Sequence, residues 1–77
     1  MSLEVLWHPA ALAALYRVHW RTGAVIDAAV IRFAEAGKGD VERIPPHYRL
    51  RAGNHDVIFV VDRSARALTV LWFHRAR

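Results

Sequence analysis

The sequence predicts an α+β fold in which a helical hairpin covers one face of a mainly antiparallel sheet. Three observations predict it. Apolar residues recur at steps of three and four only between Pro9 and Ala36. On either side of that stretch they alternate with polar residues or form short apolar runs, the pattern of strands. The later runs are separated by the turn signals Pro45-Pro46, Gly53-Asn54 and Asp62–Arg66, with no further helical period between them. At 77 residues the chain is expected to be one domain, residues 1–77, built on a single core.

Leu3, Val5 and Trp7 alternate with Glu4 and His8, which predicts a short opening strand. Pro9 suits the first turn of a helix, where a missing N–H costs nothing. From Pro9 to Trp20 the stripe is Leu12, Leu15, Tyr16 and His19. Thr22-Gly23 breaks it, and Thr22 is the expected N-cap of a second helix, Ala24–Ala36. That helix turns Ile26, Val30 and Phe33 to the core, with Ile31 beside them, and Gly37 suits a left-handed cap. Val41–Ile44 reads as a short extra strand ended by Pro45-Pro46. His47–Ala52 alternates, Gly53-Asn54 is a two-residue hairpin turn, and Val57–Val61 is a central strand. Ala67–His74 is the last strand. The order is β-α-α-β-β-β, with three to four strands after the helices.

Composition excludes several classes. With no cysteine there is no disulfide framework, thiol nucleophile or Cys-type zinc site. At 55% hydrophobic residues the chain is too apolar for a disordered one, yet no apolar run is long enough to span a membrane. No secretory leader is recognised in Met1–Pro9, so the expected location is cytoplasmic. The net charge is +4. Residues 1–37 balance Arg17, Arg21 and Arg32 against Glu4, Asp27 and Glu35, so the whole excess lies after residue 37. Ten of the eleven cations are Arg, the side chain that forks onto phosphate and carboxylate. A GC-rich genome explains such an Arg preference equally well, but not the asymmetry.

The strand phases sort the second half into two faces. With Gly53-Asn54 as the loop, Arg51 faces Asp56 and Arg49 faces Ile58 across the hairpin. Tyr48, Leu50, Ala52, His55, Val57, Phe59 and Val61 then point to the helices. His47, Arg49, Arg51, Asp56, Ile58 and Val60 form the open face. A four-residue loop Arg63–Arg66 adds Thr69, Leu71, Phe73 and Arg75 to the open face, and Val70 and Trp72 to the core. A slip of one residue exchanges Arg75 for His74. Arg49, Arg51 and one of His74 or Arg75 are thus candidates to neutralise phosphate beside Asp56. The plainer reading is a cross-strand Arg51–Asp56 ion pair of under about 1 kcal/mol. The apolar residues of this face, Ile58, Val60, Leu71 and Phe73, point to a partner lying across it.

Among the histidines, His8 reads as a surface residue and His19 as a half-buried core residue. His47, His55 and His74 gather near the sheet and are candidates for general acid–base work. No pair has metal-ligand spacing, and neither a Gly-rich phosphate loop nor a serine nucleophile is recognisable, so no metal and no cofactor is expected. The three Trp and Tyr48 read as core, not as a platform for bases.

The stretch His47-Tyr48-Arg49-Leu50-Arg51-Ala52-Gly53-Asn54-His55-Asp56-Val57-Ile58-Phe59 and the close Leu68-Thr69-Val70-Leu71-Trp72-Phe73-His74-Arg75 resemble the RelE/ParE superfamily of toxins from bacterial type II toxin–antitoxin systems. That family runs strand, helical hairpin, a Y-R-L-R-x-G-D-Y-R-V-x-Y hairpin and a closing strand ending in His-Arg. Leu3–Trp7 with His8-Pro9-Ala10 is similar to its start, and Val41–Ile44 to its lead-in. The resemblance covers nearly the whole chain and is most specific in the hairpin.

It implies a ribosome-dependent, metal-independent mRNA endonuclease in which the 2′-hydroxyl attacks the adjacent phosphate, translation is inhibited, and a cognate antitoxin silences the toxin in a hetero-oligomer. Arg49 and Arg51 stand at the two basic positions of the family's hairpin, and Arg75 or His74 near its closing cation. Two departures matter. Asp56 stands where the pattern carries Arg, and the sequence shows no counterpart of the Tyr that follows the His-Arg pair in many of these nucleases. Acid–base work then falls to His47, His55 or His74, or the chain cleaves poorly. The rival expectations are a non-enzymatic ParE-like gyrase inhibitor, a degenerate member that only binds its antitoxin, and a free-standing RNA-binding module.

Overall fold

The computed structural model describes residues 2–77; Met1 lies outside them. Seven elements follow one another: β1 (Glu4–Trp7), α1 (Pro9–Arg17), α2 (Trp20–Ala36), β2 (Val41–Ile44), β3 (His47–Ala52), β4 (His55–Asp62) and β5 (Ala67–Arg75). The five strands make one sheet in the order β1-β5-β4-β3-β2. β2 to β5 are antiparallel neighbours, while β1 lies parallel to β5 with Val5 beside Leu68 and Trp7 beside Val70. The helical pair carries the chain from β1 at one edge of the sheet to β2 at the other, and β2–β4 complete the connection to β5.

The alternation of β1 sends Val5 and Trp7 toward the helices and leaves Leu6 exposed on the far face. Helix α1 begins at Pro9 as expected, whereas α2 begins at Trp20 and not at Ala24. His8 and His19 are their N-caps, each imidazole Nδ1 accepting the backbone N–H two residues on, from Ala10 at 3.2 Å and from Arg21 at 3.1 Å. The break therefore falls at Val18-His19, and Thr22-Gly23 lies inside α2. His19 is an exposed cap stacked on Trp20, not a core residue. On α1 Ala11 is buried and Leu15 packs, while Tyr16, expected in the stripe, is 80% exposed. In α2, Ile26, Val30 and Ala34 are buried, Phe33 packs against them, and Ile31 stays outside. Gly37 takes the left-handed conformation at φ 67° and its N–H reaches the Phe33 carbonyl, the C-cap its position predicts.

The core lies between the helices and one sheet face. Phe59, at the centre of the central strand β4, is fully buried. Its ring lies 5.1 Å from that of Phe33 and stacks on Tyr48 at 5.2 Å. The β3–β4 register is the one the Gly53-Asn54 turn predicts, with Ala52 opposite His55, Arg51 opposite Asp56 and Arg49 opposite Ile58. Gly53 sits at φ 61°, a backbone region that suits glycine.

β5 departs from the predicted phase halfway along. Asp62 to Phe59 pair with Ala67 to Val70 as a four-residue loop requires, but Ile58 then pairs with Trp72. Leu71 is the extra residue of a β-bulge, and beyond it every side chain changes face. Phe73 and Arg75 therefore lie on the helix side, Phe73 against the core, while Trp72 and His74 lie on the open face. The expected phase would have left Phe73 wet and turned His74 inward. The bulge corrects both with one residue.

Candidate functional site

The open face is assembled by the registers of four strands. Glu42 of β2 lies opposite Arg49, Arg49 opposite Ile58, and Ile58 opposite Trp72. In the next row Arg51 lies opposite Asp56, and Asp56 opposite His74. Arg49, Arg51, Asp56 and His74 thus come together as the strand phases predict for the hairpin. The bulge chooses His74 over Arg75. Arg75 pairs with His55 on the other side, so neither belongs to the cluster.

Asp56 is its centre and the buried charged residue of the described chain, at 7% exposure. Arg51 donates through Nε to Asp56 Oδ1 at 2.9 Å, and Arg49 through NH1 to the same oxygen at 3.2 Å. The imidazole Nε2 of His74 stands 3.8 Å from Oδ2. Arg49 also holds Glu42, at 2.6 Å from NH2 and 3.2 Å from Nε. The hydrogen bond from Arg51 is the main reason the Asp56 carboxyl lies below its usual range; burial opposes it, and Arg49 adds to it. The Arg49 guanidinium is held above its usual value, first by Glu42 and then, against burial, by Asp56.

The two arginines differ in consequence. Arg49 spends Nε and both terminal nitrogens on Glu42 and Asp56. Arg51 commits Nε to Asp56, its terminal nitrogens make no hydrogen bond among the described residues, and its side chain is 39% exposed. Arg49 is a strut, and Arg51 is the donor available to an anion. His74, 53% exposed at the side chain, is the imidazole on the other side of Asp56. His47 stands apart from these ion pairs, with its ring 5.8 Å from Trp72. The excess charge of the second half is not concentrated here, because Glu42 and Asp56 balance Arg49 and Arg51. Arg43 instead lies 5.9 Å over the ring of Tyr48.

Glu42 and Trp72 are the residues sequence reasoning missed. A two-residue Pro45-Pro46 turn sets Ile44 against His47 and hence Glu42 against Arg49, so that signal was present. Trp72 had none, since the bulge that exposes it follows from packing.

The sign of the pH dependence follows from Asp56. A carboxyl lowered in the folded state stabilises it above the unfolded value of about 3.9. That contribution is lost as the pH falls through the lower folded value. Asp56→Asn is expected to reduce Tm at pH 7 by roughly 5 °C and to weaken the further fall of Tm on acidification. Thermal unfolding followed by circular dichroism at pH 7 and pH 3 measures both.

No family model matches the sequence, and no curated protein matches it. Solved structures do. An archaeal RelE from Pyrococcus horikoshii OT3, solved in a RelE-RelB complex, superposes with a TM-score of 0.79 at 20% identity, covering 97% of this chain and 96% of that one. The isolated RelE toxin of E. coli gives 0.78 at 12% identity, covering 99% of this chain and 86% of its own. The toxin–antitoxin complex RelBE2 of Mycobacterium tuberculosis gives 0.68 at 19% identity, over 97% and 92%. Over nearly its whole length the chain has the fold of the RelE toxins.

Proposed function

We propose that this protein is the toxin of a toxin–antitoxin pair and that its open sheet face cleaves mRNA in the ribosome. One observation supports the reading most: a RelE-type sheet carries a partly exposed arginine, Arg51, beside the exposed imidazole of His74, both against Asp56. Arg51 would hold the scissile phosphate through its two terminal nitrogens and stabilise the charge that builds on its oxygens. His74 would transfer a proton, as general base to the 2′-hydroxyl or general acid to the leaving oxygen. Attack of the 2′-oxygen on phosphorus breaks the P–O5′ bond. The products are a 2′,3′-cyclic phosphate and a 5′-hydroxyl, the proton passing from one oxygen to the other. Arg49 would act through position, by fixing Asp56.

A second reading is favoured by Asp56 itself. Its carboxylate already satisfies part of both arginines, as expected of a protein that keeps the fold and the antitoxin partner but cleaves weakly. Induction of the chain without its antitoxin, with mapping of mRNA 5′ ends, separates the two. New 5′-hydroxyl ends within reading frames, accompanied by growth arrest, are expected. Unchanged growth and unchanged ends would leave only the binding role, and a DNA-damage response without cleavage would place the target at gyrase.

A further inference from the structure

We infer that Asp56 is a positioning residue for the cleavage reaction. It holds the His74 imidazole as the tautomer with its proton on Nε2, which makes Nδ1 the general base for the 2′-hydroxyl. The inference rests on the RNA reading above and names the ring nitrogen that acts in it. The two oxygens of Asp56 are unequally used. Oδ1 accepts from Arg51 Nε at 2.9 Å and from Arg49 NH1 at 3.2 Å, whereas Oδ2 accepts no hydrogen bond among the described residues. The side chain is only 10% exposed, so a protein donor is expected at the idle oxygen. His74 lies opposite Asp56 in the β4–β5 register, where the Leu71 bulge has placed it, and its Nε2 faces Oδ2 at 3.8 Å. Closing that gap to hydrogen-bond length takes a side-chain movement of about 1 Å.

Chemistry then fixes the proton. An ionised carboxylate only accepts, so the ring nitrogen that faces it carries the hydrogen. The arginines keep Asp56 ionised by holding its carboxyl below the usual range. In a neutral imidazole the other nitrogen is then the acceptor. Nδ1 of His74 makes no hydrogen bond among the described residues, and the side chain is 53% exposed, so this nitrogen is free for the substrate. It takes the 2′-hydroxyl proton as the 2′-oxygen bonds to phosphorus and the P–O5′ bond breaks. The leaving oxygen gains a proton from water, and the imidazolium later returns its own to water. While the imidazolium lasts, the Asp56 carboxylate stabilises its charge. Asp56 thus gives a role to the position where the charge departs from expectation.

The test is nitrogen-15 NMR of the imidazole rings, with the His74 signals assigned by their loss in His74→Gln. In the wild type the neutral His74 ring is expected to show a proton on Nε2, protected from exchange with water, and an unprotonated Nδ1. Asp56→Asn should reverse the two. The donors of Arg51 and Arg49 require an oxygen at the Oδ1 position, so the amide turns its NH2 toward His74. Nε2 must then accept, and the ring proton moves to Nδ1. Single-turnover cleavage of ribosome-bound mRNA should fall about ten-fold or more with circular dichroism unchanged. If the variant does not fold, the wild-type spectrum decides. A rapidly exchanging Nε2 proton or a mixture of tautomers in the wild type would overturn the inference and leave the RNA reading standing. Faster cleavage by Asp56→Asn would do the same and make Asp56 a brake on the arginines. The ordered tautomer in a wild type that cleaves no RNA would overturn the RNA reading, and with it the general base.

Discussion

Phe59→Ala is expected to leave little folded protein. The side chain is fully buried in the middle of the central strand and touches both layers, Phe33 from α2 and Tyr48 from β3. Truncating a buried Phe costs about 3–5 kcal/mol, because the lost apolar burial is joined by an unfilled cavity. A chain of this size has a total stability of roughly 4–12 kcal/mol. Urea unfolding should show the midpoint lowered by half or more, or no cooperative transition. Tyr16→Ala is the control: at 80% exposure it should change stability by no more than about 0.5 kcal/mol. Equal effects of the two would mean that the centre of the core is misplaced.

Arg51→Ala combined with His74→Ala is expected to remove cleavage while the fold persists. Loss of one preorganised charge at a developing oxyanion costs about 10²–10³ in rate, and loss of a general acid or base about 10²–10⁴. Each single variant should therefore fall by at least about a hundred-fold in single-turnover cleavage of ribosome-bound mRNA. Both side chains are more than a third exposed, so unfolding is not the expected cause of the loss. Arg49 is a poorer target. Reversing its charge would place a third carboxylate between Glu42 and Asp56 and disturb the sheet as well as the chemistry. Full cleavage by the Arg51 and His74 double variant would remove the proposed site from this face.

Much of the fold was legible because local chemistry decides it. Period three-to-four in residues 9–36, the glycine at position 37 and the Gly53-Asn54 turn each act over a few residues. Their outcomes, two helices, a left-handed cap and the Arg51–Asp56 register, match expectation. The break between the helices falls four residues earlier than expected because His19 caps α2 through an imidazole nitrogen, a less familiar cap than the hydroxyl of Thr22. The same capping geometry at His8 shows the signal that would have found it.

The site was legible only in outline. Alternation alone brought Arg49, Arg51 and Asp56 to one face, since a side-chain period of two needs nothing beyond the hairpin turn. It left His74 and Arg75 unresolved, because a single inserted residue reverses the phase of all that follows. Where that residue falls is a matter of packing: Phe73 reaches the core only if Leu71 bulges. Sequence by itself thus determined the helices, the turns and the arginine hairpin. Tertiary structure alone decided the parallel seat of β1 beside β5, the choice of His74, the exposure of Trp72 and the second hold of Asp56 on Arg49 beside the Arg51 pair that the hairpin register predicts. The physical reason is range: local periodicity acts within an element, whereas a bulge and a shared buried carboxylate are settled by neighbours that the chain brings together only on folding.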